Sequence, residues 1–311
     1  MFYSSEQKPN VKIGVSQRSE ASSSFSTCKF HHFNTRIFNI TYYEQARCLY
    51  LRFLGCNYRC IFCINKLSIY DTHLPDELLK ILERLKISFV SSKELLNILN
   101  TYNVDKVVLG GGEPLLDPNI CSIVSLLKDF NIRIILLTNC YILDERMELL
   151  EMLDKDDTVV VSIKSVDPVK HRVITGKSLR RVVKNLLMLY NKHSVSVKVE
   201  TVFVPGLVDV FDIVTLAKWI EENMPDAELI VDSYIPVPEL PYSAPTEKDF
   251  EKLLQELSKI SIRVSLRRPS KVETSGKVVC NGKIVLDNYK TSDTIHLVHP
   301  VLPEGMLAPH T

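Results

Sequence analysis

Three cysteines, Cys56, Cys60 and Cys63, lie within eight residues of a chain that has eight cysteines in all. They fall at spacings of four and three residues in Leu54-Gly-Cys-Asn-Tyr-Arg-Cys-Ile-Phe-Cys63. Three thiolates on one short loop can hold three corners of a cubane iron–sulfur cluster, whereas most such clusters have four protein ligands. The fourth iron then has an open coordination position, where a small molecule can bind and be activated. Two other readings stand beside this one. A cysteine is commonly a small buried hydrophobe, although three in a turn-like run with Gly55, Asn57 and Arg59 are poor use of core positions. Zinc also takes thiolates, but a structural zinc site wants a fourth ligand and usually shows paired Cys-x-x-Cys or Cys/His spacings. The other cysteines, Cys28, Cys48, Cys121, Cys140 and Cys280, follow neither a disulfide-scaffold nor a metal-ligand rhythm.

Two further features could do chemistry. Gly110-Gly-Gly-Glu-Pro114 follows an apolar run. Glycines at a strand end let a ligand approach the backbone, whose carbonyls can accept from an ammonium; such a run can also be only a tight strand-to-helix turn. Lys164 closes Val161-Ser-Ile-Lys164, where a cation at the end of a buried strand needs an anionic partner. Glu200, within Lys198-Val-Glu-Thr-Val-Phe203, is a barrel-interior or lip candidate.

The elements that would position these residues alternate regularly. Leu49–Leu54 is an alternating strand that delivers the cysteine loop, and Lys106–Leu109, Arg133–Leu137, Thr158–Ile163, Val195–Val204 and Glu228–Tyr234 are short apolar strands. Helices are expected between them: Asp76–Lys86, a helix to Tyr102 opened by the capping box Ser91-Ser-Lys-Glu94, Asp117–Phe130, Asp144–Leu153, Ser178–Tyr190 and Asp209–Asn223. Such alternation implies parallel strands with helical crossovers. The cysteine loop, Gly-Gly-Gly-Glu-Pro, Thr138-Asn-Cys140, Ser162-Ile-Lys164 and Val204-Pro-Gly206 all follow or end a strand, and barrel active sites collect at that end. The expected fold is α/β, an incomplete (β/α)6 TIM-type barrel over residues 48–241. Residues 1–47 form an amino-terminal arm, partly disordered and Ser-rich with a lead-in strand around Phe38–Tyr43. Residues 242–311 form a small α+β appendage: a helix at Thr246–Ile260, a strand at Ile262–Leu266 and a hairpin turning on Asn281-Gly282.

The cysteine spacing resembles the signature loop of the radical S-adenosylmethionine (SAM) superfamily, and Gly-Gly-Glu-Pro some fifty residues later resembles its SAM-amine motif. The resemblance implies one 4Fe-4S cluster per chain on Cys56, Cys60 and Cys63, with SAM chelating the open iron. One electron then cleaves SAM to methionine and a 5′-deoxyadenosyl radical, which removes hydrogen from a substrate. The SAM-contacting candidates are Phe62, Gly111, Gly112, Glu113, Thr138, Asn139, Ser162, Lys164 and Glu200. Phe62 could stack on the adenine, and Lys164 could meet the SAM carboxylate.

From Leu51 to about Pro241 the motif order is similar to the pyruvate formate-lyase activating enzyme and its glycyl-radical activase relatives. The shared run includes Asn65, Asp71-Thr-His73, Gly-Gly-Glu, Thr138-Asn139, Lys164, His171-x-x-x-Thr175-Gly-x-Ser178, Val204-Pro-Gly206 and Tyr234. Five positions depart from that family. Ser162 and Leu137 replace two aspartates that help to hold a monovalent cation beside SAM, and Cys140 replaces a glycine. Glu200 stands for an arginine and Ile235 for a SAM-contacting histidine.

Composition sets wider bounds. The 311 residues are 45% hydrophobic and 24% charged with net charge +1, so global charge selects neither nucleic acid nor membrane. No apolar run nears the roughly 18 residues of a bilayer span, and the first residues do not form a secretory pattern. With thiolates that need a reducing compartment, the expected location is cytoplasmic. The implied partners are an electron donor such as flavodoxin or ferredoxin, and a substrate protein or small molecule at the open barrel face. Nucleic acid is a weaker option, resting on the cluster Arg263, Arg267, Arg268 and Lys271. The competing functions are glycyl-radical activation, radical modification of a small molecule or nucleobase, and a non-enzymatic iron–sulfur or zinc protein. His296 and His299 with Cys280 are a remote second metal site.

Overall fold

The computed structural model describes residues 32–70, 76–192, 194–268, 274–280 and 283–291. The amino-terminal arm up to His31, Asp71-Thr-His73, Lys271, the Asn281-Gly282 turn, His296 and His299 lie outside the described residues, as does the Cys280 side chain.

Strands β1 (Ile37–Tyr43) and β2 (Cys48–Phe53) form an antiparallel pair. After them come α1 (Asp76–Arg84), α2 (Ser92–Thr101), β3 (Lys106–Gly111), α3 (Ile120–Asp129), β4 (Arg133–Thr138), α4 (Met147–Met152) and β5 (Thr158–Ser162). The chain continues through α5 (Pro168–Thr175), α6 (Leu179–Lys192), β6 (Ser196–Phe203), α7 (Val210–Asn223) and β7 (Glu228–Ser233). It ends in α8 (Glu247–Leu257), β8 (Arg263–Arg267), β9 (Thr274–Cys280) and β10 (Lys283–Thr291). One ten-stranded sheet runs β10-β9-β1-β2-β3-β4-β5-β6-β7-β8. β2 to β8 are parallel and in chain order, and β8 and β10 are its two edges, so the sheet does not close.

The six expected strands are β2 to β7. β8 pairs in parallel with β7, from Glu228↔Arg263 to Asp232↔Arg267, and so adds a seventh parallel strand with α8 as its crossover. The hairpin β9–β10 pairs with β1, from Ile40↔Val279 to Tyr43↔Gly276. The segments read as an appendage thus extend both edges of the same sheet. The Pro-rich stretch from Pro236 to Pro245 interrupts the sequence rhythm but not the strand order.

Side chains alternate across each strand. Leu49, Leu51, Phe53, Val107, Leu109, Ile134, Leu136, Val159, Val161, Val199 and Phe203 are buried in the core. Their neighbours Tyr50, Val108, Ile135, Leu137, Val160, Ser162, Glu200, Val202 and Asp232 line a single cavity with Arg267 of β8. The sheet therefore curves around this cavity.

Local signals explain most helix starts. Ser91 caps α2 in a capping box with Glu94, as expected, and Thr246 with Asp249 does the same for α8. Sequence reasoning left out α5. Asp167 accepts from the Lys170 N–H, Pro168 occupies the first turn, and Gly176 at φ +76° ends the helix. The expected helix Asp144–Leu153 is shorter, a 3-10 turn at Leu143–Glu145 followed by α4.

Two interactions fix the strand ends. Asp157, fully buried before β5, accepts from the Ile134 N–H at 2.8 Å and the Asp154 N–H at 2.9 Å, and lies 2.5 Å from Lys128 Nζ. Beyond β2 and β3 the pairing continues: the Gly112 N–H donates to the Phe53 carbonyl at 2.9 Å and the Glu113 N–H to the Gly55 carbonyl at 2.8 Å. A Cβ at Gly112 would lie 2.2 Å from the Gly55 oxygen and 2.7 Å from the Phe53 oxygen, both backbone atoms that cannot rotate away.

Asp157→Ala leaves the buried Ile134 N–H without its acceptor, removes that of the Asp154 N–H, and is expected to cost about 3 kcal/mol, measured as a lower urea midpoint at unchanged slope. Gly112→Ala should cost about 2 kcal/mol or more and lower the iron retained per chain; wild-type stability in that variant would show that β3 can withdraw from the loop.

Candidate functional site

The site lies at the carboxyl ends of the parallel strands. The loop after β2 leaves the sheet at Gly55, whose φ of +94° favours glycine. Cys56 is exposed, Cys60 and Cys63 are half-buried, and all three line the cavity. Backbone contacts hold the loop from both sides. β3 grips its start through Gly112 and Glu113. On the other side the Arg59 N–H donates to the Thr175 carbonyl at 2.9 Å and the Ile61 N–H to the Ile174 carbonyl at 3.0 Å, at the end of α5. Asn65 Nδ2 donates to the Gly111 carbonyl at 2.9 Å. The motif residues His171 and Thr175 are buried there: Thr175 Oγ1 donates to the His171 carbonyl, and His171 Nε2 is 3.5 Å from Tyr58 Oη. Burial pushes the His171 imidazole down to about 4.

The thiols sit in a polar frame. Cys56 Sγ accepts from the Tyr58 N–H at 3.4 Å and from Asn139 Nδ2 at 3.6 Å. Burial pushes the Cys60 thiol up to about 11, with the Lys164 ammonium acting in the opposite direction. Among the described residues no three His, Cys, Asp or Glu side chains converge on a single metal ion. The three thiols instead face a cavity of about 400 Å³, a setting that suits a polynuclear group better than a lone zinc.

Glu113 organises the neighbouring strand ends. It is 2% exposed and accepts from Thr138 Oγ1 at 2.7 Å, the Asn139 N–H at 2.7 Å and the Leu115 N–H at 3.1 Å. Burial pushes its carboxyl up to about 7 against these three donors. Asn139, held this way, also donates to Asn57 Oδ1 at 2.6 Å. The next residue, Cys140, has φ +62°, a left-handed conformation that costs a non-glycine residue about 1 kcal/mol; this is the position where the activase family has glycine. Asn185 Nδ2 donates to the Cys140 carbonyl at 2.8 Å.

The remaining candidates line the same cavity. Phe62 is buried, with its ring edge-on to Tyr234 at a centroid distance of 6.3 Å. Lys164 lines the cavity, and among the described residues it forms no ion pair. Ser162 Oγ donates to Glu200 Oε1 at 3.3 Å. Val204-Pro-Gly206 is a tight turn, with Gly206 at φ +85° and its N–H donating to Asp209 Oδ1 at 2.9 Å.

Two site residues escaped the sequence reading. Asp232 and Arg267 meet Glu200 in the cavity: Arg267 Nη1 is 3.3 Å from Glu200 Oε2 and 3.4 Å from Asp232 Oδ1. Burial, reinforced by the Glu200 charge, pushes the Asp232 carboxyl up to about 7, while Arg267 acts the other way. The strand alternation that places Tyr234 inward also places Asp232 inward. The basic patch expected near Arg267 is dispersed. Arg263 donates to the Asp226 carbonyl. Arg268 pairs with Glu247 at 2.6 Å and lies 4.0 Å over the Phe250 ring.

The family model of the radical SAM superfamily matches residues 50–220, more than half of the chain. A Methanocaldococcus jannaschii protein described as a glycyl-radical enzyme activating enzyme is 27% identical over 169 residues, 53% of this chain and 60% of the relative. A 7-carboxy-7-deazaguanine synthase of Clostridium acetobutylicum is 33% identical over 92 residues, 29% of this chain and 36% of the relative. A Pyrococcus abyssi protein described as a GTP 3′,8-cyclase is 26% identical over 243 residues, 72% of this chain and 71% of the relative. The chain thus spans less than two thirds of the first two relatives. Among solved structures, Streptococcus suis SuiB bound to its precursor peptide SuiA has a TM-score of 0.55 at 17% identity, covering 70% of this chain and 48% of SuiB. A radical SAM methyltransferase from Sphaerobacter thermophilus has a TM-score of 0.50 at 13% identity, covering 71% of this chain and 65% of that one. These likenesses concern the fold. Sequence match and architecture agree that the chain belongs to the radical SAM superfamily, whose members are enzymes that use a 4Fe-4S cluster and SAM.

Proposed function

We propose that this chain cleaves SAM reductively and uses the resulting radical to abstract hydrogen from a substrate at the open face of the cavity. The observation that carries the reading is that Cys56, Cys60, Cys63, Lys164 and Gly111–Glu113, contributed by three different strand ends, line one cavity. When bound, the reduced cluster and SAM supply a 5′-deoxyadenosyl radical. The chain's own residues bind and orient. The three thiolates of Cys56, Cys60 and Cys63 would hold a 4Fe-4S cluster with one iron open to SAM. Lys164, a cavity cation without an ion pair among the described residues, would meet the SAM carboxylate. The backbone at Gly111 and Gly112 lets the methionine amine approach, and the buried Phe62 ring offers a face for the adenine. Glu113 acts through its bonds to Thr138 and Asn139, which fix the wall behind Cys56. Ser162 and Glu200 complete the set of SAM-contacting residues in this reading.

The motif order and the activase relative support a glycine in a partner protein as the hydrogen source. The substituted positions bear on that reading. Leu137 and Ser162 leave the cavity without the two aspartates of the family's cation site, and Glu200 brings a carboxylate where the family has an arginine. One observation favours a second reading, in which the substrate is a small nucleobase-like molecule. Glu200 and Asp232 form a paired acceptor wall with Arg267 beside it, and adjacent carboxyls suit a substrate edge with neighbouring N–H donors. No described helix is long and apolar enough to cross a membrane, and thiolate ligands need a reducing compartment; we therefore place the enzyme in the cytoplasm, supplied by a flavodoxin or ferredoxin.

Cys60→Ala is expected to abolish the brown cluster absorbance and 5′-deoxyadenosine formation together, with the circular dichroism spectrum kept; continued cleavage would remove Cys60 from the ligand set. Lys164→Ala should retain iron but lose the SAM-induced change in the cluster's electron paramagnetic resonance spectrum. Deuterium transfer into 5′-deoxyadenosine separates the two substrate readings. Label arriving from a glycine-deuterated glycyl-radical enzyme supports the activase, and label arriving only from a deuterated purine nucleotide rejects it.

A further inference from the structure

α5 carries a surface that its packing does not explain. Val169 and Val173, one helical turn apart, are 74% and 65% exposed. With Leu179 and Val183 of α6 they line a groove between the two helices. Phe211, 79% exposed, stands in the first turn of α7, which the Lys170–Asp212 ion pair at 2.6 Å ties to α5. The charge around this apolar floor is mainly positive. From Lys170 to Lys184 the chain has six lysines and arginines and no carboxylate, with Asp167 just before, in a protein whose net charge is only +1. Lys170 is paired with Asp212, and Arg181 with Asp144 and Glu145. Arg172, Arg180 and Lys184 remain exposed.

This face lies directly behind the cysteine loop, because the last turn of α5 accepts the N–H groups on either side of Cys60. The helix that would carry the partner is thus bonded directly to the backbone of the cysteine loop. Exposed aliphatic side chains ringed by cations fit an acidic protein surface, since apolar area buries against protein while rim charges steer the encounter. A nucleic acid would use the cations but leave the valines without a partner of their kind.

We propose that the α5–α6 face, with Val169 and Val173 at its centre and Arg172 and Arg180 at its rim, is the docking surface for an acidic one-electron carrier protein. The inference rests on the reading of the cavity as a SAM-cleaving site, in which one electron from outside must reduce the cluster before SAM is cleaved. In the transfer the carrier is oxidised by one electron and the bound cluster is reduced by one, with no bond made or broken.

The test uses the reconstituted holoenzyme, reduced flavodoxin and, in parallel, a reduced ferredoxin as probes. Binding is measured by anisotropy of the labelled carrier, and 5′-deoxyadenosine formation is driven either by the carrier or by dithionite. In the double variant Arg172→Glu/Arg180→Glu, and separately in Val173→Asp, carrier affinity and carrier-driven cleavage should each fall about tenfold or more. Iron content and dithionite-driven cleavage should stay at wild-type values, which also certifies the fold. Unchanged carrier binding and carrier-driven rate in both variants overturn the proposal. Loss of RNA binding with carrier binding intact overturns it in favour of a nucleic-acid surface. Absence of dithionite-driven cleavage in the wild type would instead defeat the SAM reading, and the carrier-binding result would still decide the docking surface.

Discussion

The cavity mouth depends on how closely the end of β3 approaches the loop that follows β2. Two parallel strands pair only through their backbones, and here the pairing outlasts the strands, through the Gly112 and Glu113 N–H groups. The approach is so close that no side chain fits at Gly112. Glu113 is thereby drawn under the loop, where its carboxylate collects donors from the end of β4. Asn139, fixed by that carboxylate, reaches the Cys56 sulfur. Three strand ends are therefore set by one backbone contact, and α5 closes the loop's other side.

The sequence made the strands legible because most of them are short, continuous apolar runs, as strands buried on both faces of a parallel sheet are. It concealed α5 because that helix is two turns long and shows valines to solvent, so its apolar positions do not mark a buried face; only Asp167-Pro168 and Gly176 betrayed its ends. The cysteine loop and the glycine run were visible as spacing and residue type. Asp232 and Arg267 were not. A lone carboxyl in a strand names no partner, and Arg267 stood beside Arg263 and Arg268 in sequence as though all three shared a surface. The register Asp232↔Arg267 gives Arg267 its place in the cavity. Cys140 was visible as a departure, but its left-handed backbone was not.

The cavity wall is divided in character. The middle of β3 and β4 contributes Val108, Ile135 and Leu137, with Lys106 and Thr138 at the strand ends, while β5 to β8 add Ser162, Glu200, Asp232 and Arg267 beside Val160 and Val202. Lys164 stands at the boundary near the thiols, and its field reaches both Cys60 and Asp232. In a space of low effective dielectric such a division orients a bound molecule as well as holding it. Under the proposed reading Lys164 would meet the SAM carboxylate. In the second substrate reading the Glu200–Asp232 pair would meet the substrate edge instead.

The strand order also bears on how the molecule is assembled as it leaves the ribosome. Each strand from β3 to β8 pairs with the one made just before it, so the sheet can grow one unit at a time, with short loops to close. The cysteine loop is made before β3 to β8, and its β3 brace follows soon after. Only the hairpin must reach back across nearly the whole chain, where Val279 finds Ile40, and that long-range pairing is the slow kind. A nascent chain can hence present its three thiols in a nearly finished half-barrel before the last edge is in place.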